Sequence, residues 1–184
     1  MAVIRITGLP GAGTSTLAEK AAVYLHYDLH TIGRIFEERA AREHLPIGDY
    51  YERLSDPDFE KEIDRLQEEL MLSSDDLVVD GRMAPWLKCG FRAVNVKVIV
   101  EPEEGARRLL RRPENAGRTV SEMMELAARR VATEREHYRS IHGIADHLAD
   151  RNFDIILNTT DKDADDTFRE FLEKFEMVVQ KRSG

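Results

Sequence analysis

The apolar positions change period along the chain. Val3-Ile4-Arg5-Ile6-Thr7 is a β-branched run that stops at a glycine-rich turn, and Leu17, Ala21 and Leu25 then recur at helical spacing, which predicts strand, loop and helix in that order. Three more short runs have strand composition: Leu77-Val78-Val79-Asp80, Val96-Lys97-Val98-Ile99-Val100 and Phe153-Asp154-Ile155-Ile156-Leu157. Helix-length stretches separate them. Parallel strands need crossovers, usually helical ones, so the alternation predicts an α/β fold of three layers, with a parallel sheet between helices and ligands at the carboxyl edge of the strands.

Two segments interrupt this plan. Residues 32–72 are charged and mostly helical in pattern, broken by Pro46-Ile47-Gly48 and Asp56-Pro57, and read as an inserted helical flap. Arg112-Pro113-Glu114-Asn115-Ala116-Gly117-Arg118 separates an arginine-rich helix end from a long helix starting near Thr119 or Ser121, and reads as a mobile loop. There is no internal repeat.

Composition narrows the picture. With 184 residues and 42% apolar content, the chain can bury one sizeable core, so a single domain is expected. The formal net charge of -8 argues against coating nucleic acid, because that binding depends on Lys and Arg neutralising phosphates. Cys89 is the only cysteine and cannot form an intrachain disulfide. The residues after Met1 lack a basic stretch followed by a long apolar one, and no apolar run approaches the ~20 residues that cross a bilayer. The expectation is a cytoplasmic protein without a membrane contact.

The chemistry concentrates in Gly8-Leu9-Pro10-Gly11-Ala12-Gly13-Thr14-Ser15-Thr16. Gly8, Gly11 and Gly13 lack Cβ atoms, so the backbone can curl and point successive N–H groups inward at the positive end of the following helix, where phosphate fits. Ser15 holds the Ser/Thr position that ligates Mg²⁺ in this type of loop, and Asp80 at a later strand end is the matching carboxylate. A magnesium nucleotide is the expected ligand. Thr14, however, stands where a lysine normally neutralises the β- and γ-phosphates. Arg107, Arg108, Arg111 and Arg112 before the mobile loop, Arg118 within it, and Arg129, Arg130 and Arg135 after it could replace that charge, or form a solvated basic face paired with acids. His26, His30, His44, His142 and His147 form no helical pair backed by carboxylates, so they read as exposed or packed and no zinc is expected.

Four stretches together resemble the archaeal-type cytidylate kinases, a branch of the nucleoside monophosphate kinases. They are residues 8–16, residues 56–67, Asp80-Gly81-Arg82-Met83-Ala84-Pro85-Trp86, and residues 133–143 with Leu157-Asn158-Thr159-Thr160. The resemblance runs along most of the chain. It implies a P-loop kinase fold with a central parallel five-stranded sheet, a core of residues 1–31, 73–111 and 119–184, an acceptor-binding flap at about 32–72 and a short lid at about 112–118. It implies transfer of the ATP γ-phosphoryl group to CMP or dCMP with Mg²⁺ and no covalent enzyme intermediate. A monomer or weak dimer is expected. Threonine at the Thr14 position is common in that branch. By the same likeness Arg82 holds the acceptor phosphate, Asp64 and Gln67 face its base, and Arg108, Arg112 and Arg130 meet the transferring phosphates. Asp64 and Gln67 also fit an ordinary polar helix face. The family's arginine after Gly-x-Ile-Phe is Glu37 here, while Arg34 stands three residues earlier on the same helical face, an exchange that would let Arg34 grip the acceptor phosphate. His137 replaces a usual arginine before Tyr138. The alternatives are a kinase of the same fold for another nucleoside monophosphate or small metabolite, and a catalytically weak nucleotide-binding regulator.

Overall fold

The computed structural model describes residues 2–44 and 57–182, apart from the side chains of residues 33, 34, 36, 37, 39, 40, 57 and 60. In chain order the elements are β1 Ala2–Gly8, α1 Thr14–Leu25, β2 Asp28–Thr31, α2 Ile32–Glu43, α3 Pro57–Ser73, β3 Asp76–Asp80, β4 Ala93–Ile99, α4 Pro102–Leu110, α5 Val120–His142, β5 Ile155–Asn158 and α6 Ala164–Lys181. The strands form one five-stranded sheet in the order β2-β3-β1-β4-β5. Every pairing is parallel.

Alternation along the strands builds the three layers. Ile4, Ile6, Val78, Val94, Val96 and Val98 project into one buried cluster with Leu17, Ala18 and Ala21 of α1 and Phe171 and Phe175 of α6. Val3, Leu77 and Val79 turn the other way, onto Met71 of α3 and Tyr138 of α5. Each large side chain hidden this way contributes about 1.5–3 kcal/mol. Arg5 is the charged exception in β1, and it is satisfied: Nε donates to Asn95 Oδ1 and Nη1 to the Leu87 carbonyl, both at 2.8 Å.

The fifth strand, β2, has no strand pattern in the sequence. Its four residues, Asp-Leu-His-Thr, form a short polar strand at the sheet edge, where among the described residues only β3 pairs with it. The long helix starts where expected. Thr119 caps it, its side chain accepting from Glu122 N while the Glu122 carboxylate accepts from Thr119 N at 2.7 Å. Pro46-Ile47-Gly48 and Asp56, expected to break the flap, lie outside the described residues. No helix among the described residues is long and apolar enough to cross a membrane.

Candidate functional site

The site grows from the carboxyl end of the central strand. Beyond Gly8, Leu9 N donates to the Val98 carbonyl at 3.0 Å and Ala12 N to the Leu9 carbonyl at 3.1 Å, which folds the loop back on itself. Gly11 and Gly13 take φ of +79° and +88°, values that side-chain-bearing residues rarely adopt. Gly13 then caps α1 without a side-chain hydrogen bond, leaving the first N–H groups of that helix for a ligand. The loop is braced from behind, because a Cβ on Gly11 would stand 2.4 Å from the Gly105 carbonyl oxygen of α4.

On the first turn of α1, Ser15 Oγ donates to Asp80 Oδ2 at 2.7 Å. The pairing is set by register: Ile6 of β1 lies beside Asp80, so β3 ends level with the loop. Burial pushes the Asp80 carboxyl above the usual carboxylate range, against the opposing effect of the Ser15 and Thr14 hydroxyls and the Arg82 charge. A partly buried carboxylate beside a hydroxyl is a pair of hard oxygen donors that suits Mg²⁺.

Next along the chain, Arg82 turns back to the loop and donates through Nη1 to the Gly8 carbonyl. Its Nε lies 3.5 Å from Glu134 Oε1. The same oxygen accepts from Arg130 Nε at 2.8 Å. Burial lowers the pKa of Arg82 and the Glu134 charge opposes that shift. Beside Gly81 lies α3, where a Cβ on Gly81 would stand 3.0 Å from Gln67 Oε1. Asp64 and Gln67 are 8% and 1% exposed, so they belong to the interior and not to a solvated polar face. Gln67 Nε2 points at Asp64 Oδ1 across 3.5 Å, and its buried Oε1 has no hydrogen-bond partner among the described residues.

The lid-side arginines go to different places. Arg108 reaches the turn after β5, where Nη1 donates to Thr159 Oγ1 at 2.9 Å and Nη2 to the Thr159 carbonyl at 2.6 Å, while Nε donates to Glu104 at 2.9 Å. It walls a cleft of about 480 Å³ that Ala12, Gly13, Arg111 and Lys162 also line. Arg112 is exposed, and among the described residues its side chain makes no hydrogen bond or ion pair. The structure therefore joins Ser15 to Asp80, Asp64 to Gln67, and Arg82 to Arg130, but it does not gather Arg108, Arg112 and Arg130 on one point. The side chains of Arg34 and Glu37 lie outside those described.

Two participants carry no signal in the sequence. Glu134, between Arg82 and Arg130, looks like one acid among many on a charged helix. His142 Nε2 lies 3.2 Å from Asp64 Oδ2, a contact between the end of α5 and the middle of α3. Asn158 ends β5 and shapes the turn that follows, its Oδ1 accepting from Thr160 N at 3.0 Å. Met83 packs in the core and Trp86 packs against the same cluster, with Nε1 donating to the His147 carbonyl at 3.1 Å.

A family model described as an AAA domain matches residues 4–130. Among solved structures, a shikimate kinase from Bacteroides thetaiotaomicron superposes with a TM-score of 0.65 at 20% identity, covering 95% of this chain and 98% of that one. A gluconokinase from Sinorhizobium meliloti gives 0.62 at 14% identity, covering 99% and 95%. The sheet, its strand-end cradle and these superpositions show a P-loop kinase fold. In sequence, the chain is 32% identical over 168 residues to a cytidylate kinase from Methanothermobacter thermautotrophicus, covering 89% of this chain and 98% of that protein. A second cytidylate kinase, from Pyrobaculum aerophilum, is 29% identical over 171 residues, covering 92% and 90%. The chain belongs to the cytidylate kinase family, and it is a phosphotransferase that uses a nucleotide.

Proposed function

We propose that this protein transfers the γ-phosphoryl group of ATP to CMP or dCMP, giving ADP and CDP or dCDP. The observation that carries the acceptor assignment is the buried pair of Asp64 and Gln67 beside Gly81 and Arg82. Gln67 Oε1, without a hydrogen-bond partner among the described residues, and the Asp64 carboxylate are acceptors, and they suit the amino group of cytosine; the carbonyl that uracil carries at that position would meet them unfavourably.

The donor phosphates lie in the loop of residues 8–16, held by its N–H groups and the end of α1. The donor base enters the cleft walled by Arg108 and the Thr159 turn. Ser15 and Asp80 would hold Mg²⁺, which supplies positive charge to the donor phosphates. Arg82 binds the acceptor phosphate, one of whose oxygens attacks the γ-phosphorus as the bond to the ADP oxygen breaks. No enzyme group is covalently modified. Arg112 and Arg130 supply the charge that Thr14 does not, so chemistry depends on lid closure bringing them in. Arg34 is a second candidate for the acceptor phosphate.

A coupled ADP-release assay over CMP, dCMP, UMP, AMP and shikimate tests this assignment. CMP and dCMP are expected to turn over at least about tenfold faster than UMP or AMP at equal subsaturating concentration, as one well-placed hydrogen bond is worth at least that much. Comparable turnover of AMP with none of CMP rejects the assignment.

A further inference from the structure

An i,i+4 arginine–glutamate pair on a helix is ordinarily a solvated surface pair that contributes little. Arg130 and Glu134 depart from that pattern. The Arg130 side chain is 59% exposed, but the Glu134 side chain is only 15% exposed because it turns inward. There its Oε1 meets a second guanidinium, that of Arg82, itself 19% exposed and arriving from the end of β3. Glu134 Oε2 is buried with no hydrogen-bond partner among the described residues. His147, fully buried, is within electrostatic reach of Glu134, and burial lowers its pKa toward the neutral form.

Like charges placed this close would drive each other apart without an anion between them, and the Arg130 charge does act against that of Arg82. One carboxylate oxygen holds both. The hold is by Nε on each arginine, and Arg82 Nη1 is further tied to the Gly8 carbonyl. Arg82 Nη2 and both terminal nitrogens of Arg130 make no hydrogen bond among the described residues. An arginine fork held at its base presents its free edge in a defined direction, which is what a phosphate between two arginines requires.

We infer that Glu134 is a positioning residue: a resident counter-anion that sets Arg82 and Arg130 as a pair for the phosphoryl group and ties the acceptor side to the lid-side helix. This rests on the reading of Arg82 and Arg130 as phosphate-binding groups. Glu134 touches no substrate and acts through the two arginines. Its negative charge also weakens ground-state attraction for phosphate, so it trades some binding for alignment.

That trade gives a signature which a merely structural residue lacks. In Glu134→Gln, turnover of CMP is expected to fall about tenfold or more while the Kd for inorganic phosphate, measured by calorimetry, falls about threefold or more. Glu134→Asp keeps the charge but shortens the reach, so phosphate affinity stays within about twofold of wild type while kcat still falls about threefold or more. A smaller loss of turnover in either variant overturns the inference, as does a phosphate Kd in Glu134→Gln that is unchanged or raised. Should Glu134→Gln not fold, Glu134→Asp decides by the same limits. If the wild-type protein itself leaves CMP unphosphorylated, the assignment of the acceptor falls, and the phosphate affinities alone still decide the role of Glu134.

Discussion

Replacing Gly11 by alanine would put a methyl group where backbone already stands. Its Cβ would lie 2.4 Å from the Gly105 carbonyl oxygen and 2.8 Å from the Gly105 Cα, and neither atom can rotate away as a side chain could. Gly13 is the natural control, since it has φ of +88° against +79° for Gly11 but nothing within 4 Å of its built Cβ. Both substitutions carry the left-handed penalty of about 1–2 kcal/mol, less about 0.4–1 kcal/mol recovered because alanine restricts the unfolded chain. Gly13→Ala should therefore lose about 1 kcal/mol, which for a domain of this size lowers Tm by about 2–4 °C. Gly11→Ala adds an overpacking term of about 1–3 kcal/mol, for a total Tm loss of about 5–15 °C, and it pushes the phosphate loop off α4. Thermal melts followed by circular dichroism, with ATP binding by calorimetry, measure both effects. Equal Tm losses in the two variants would show that the loop is not braced by Gly105, and would refute the reasoning.

Asp80→Asn should separate stability from activity. Because burial raises the folded-state pKa of Asp80, the folded protein holds this proton to higher pH than the unfolded chain does, so the ionised group costs stability as pH rises from the ordinary carboxylate range through its folded value. The asparagine variant should then melt higher than wild type at pH 7, with the gap closing below about pH 4, while kcat with Mg²⁺ falls about a hundredfold or more; a variant that melts lower at pH 7 contradicts the burial argument. Arg108→Ala removes the donors that hold the Thr159 turn, so the KM for ATP should rise about tenfold with the KM for CMP little changed, and a shift confined to CMP would place Arg108 on the wrong side of the site.

The phosphate loop was legible because every feature it needs is local. A β-branched run, three glycines at close spacing and a helical period lie within the first 25 residues, and short-range sterics decide what they form. Asp80 was legible for a related reason: a carboxylate ending an apolar run marks a strand end, and ligands gather there in a parallel sheet. Arg108 shows where this stops. Its i,i+4 bond to Glu104 could be guessed from spacing, but the Thr159 turn that claims the rest of its guanidinium comes from the far end of the chain.

By itself the sequence determined the layer order, four of the five strands, the glycine-rich turn at the end of β1, and the family to which they belong. Folding in three dimensions decided the rest. Strand β2 exists because β3 offers its edge to a polar tetrapeptide with no strong strand preference of its own. Asp64 and Gln67 fit either a solvated face or a recognition surface until packing buried them. Glu134 reads as one more surface acid until β3 delivers Arg82 to the oxygen that already holds Arg130. Local pattern follows from bond geometry and side-chain period, whereas the meeting of charges from separate elements depends on which faces the sheet brings together.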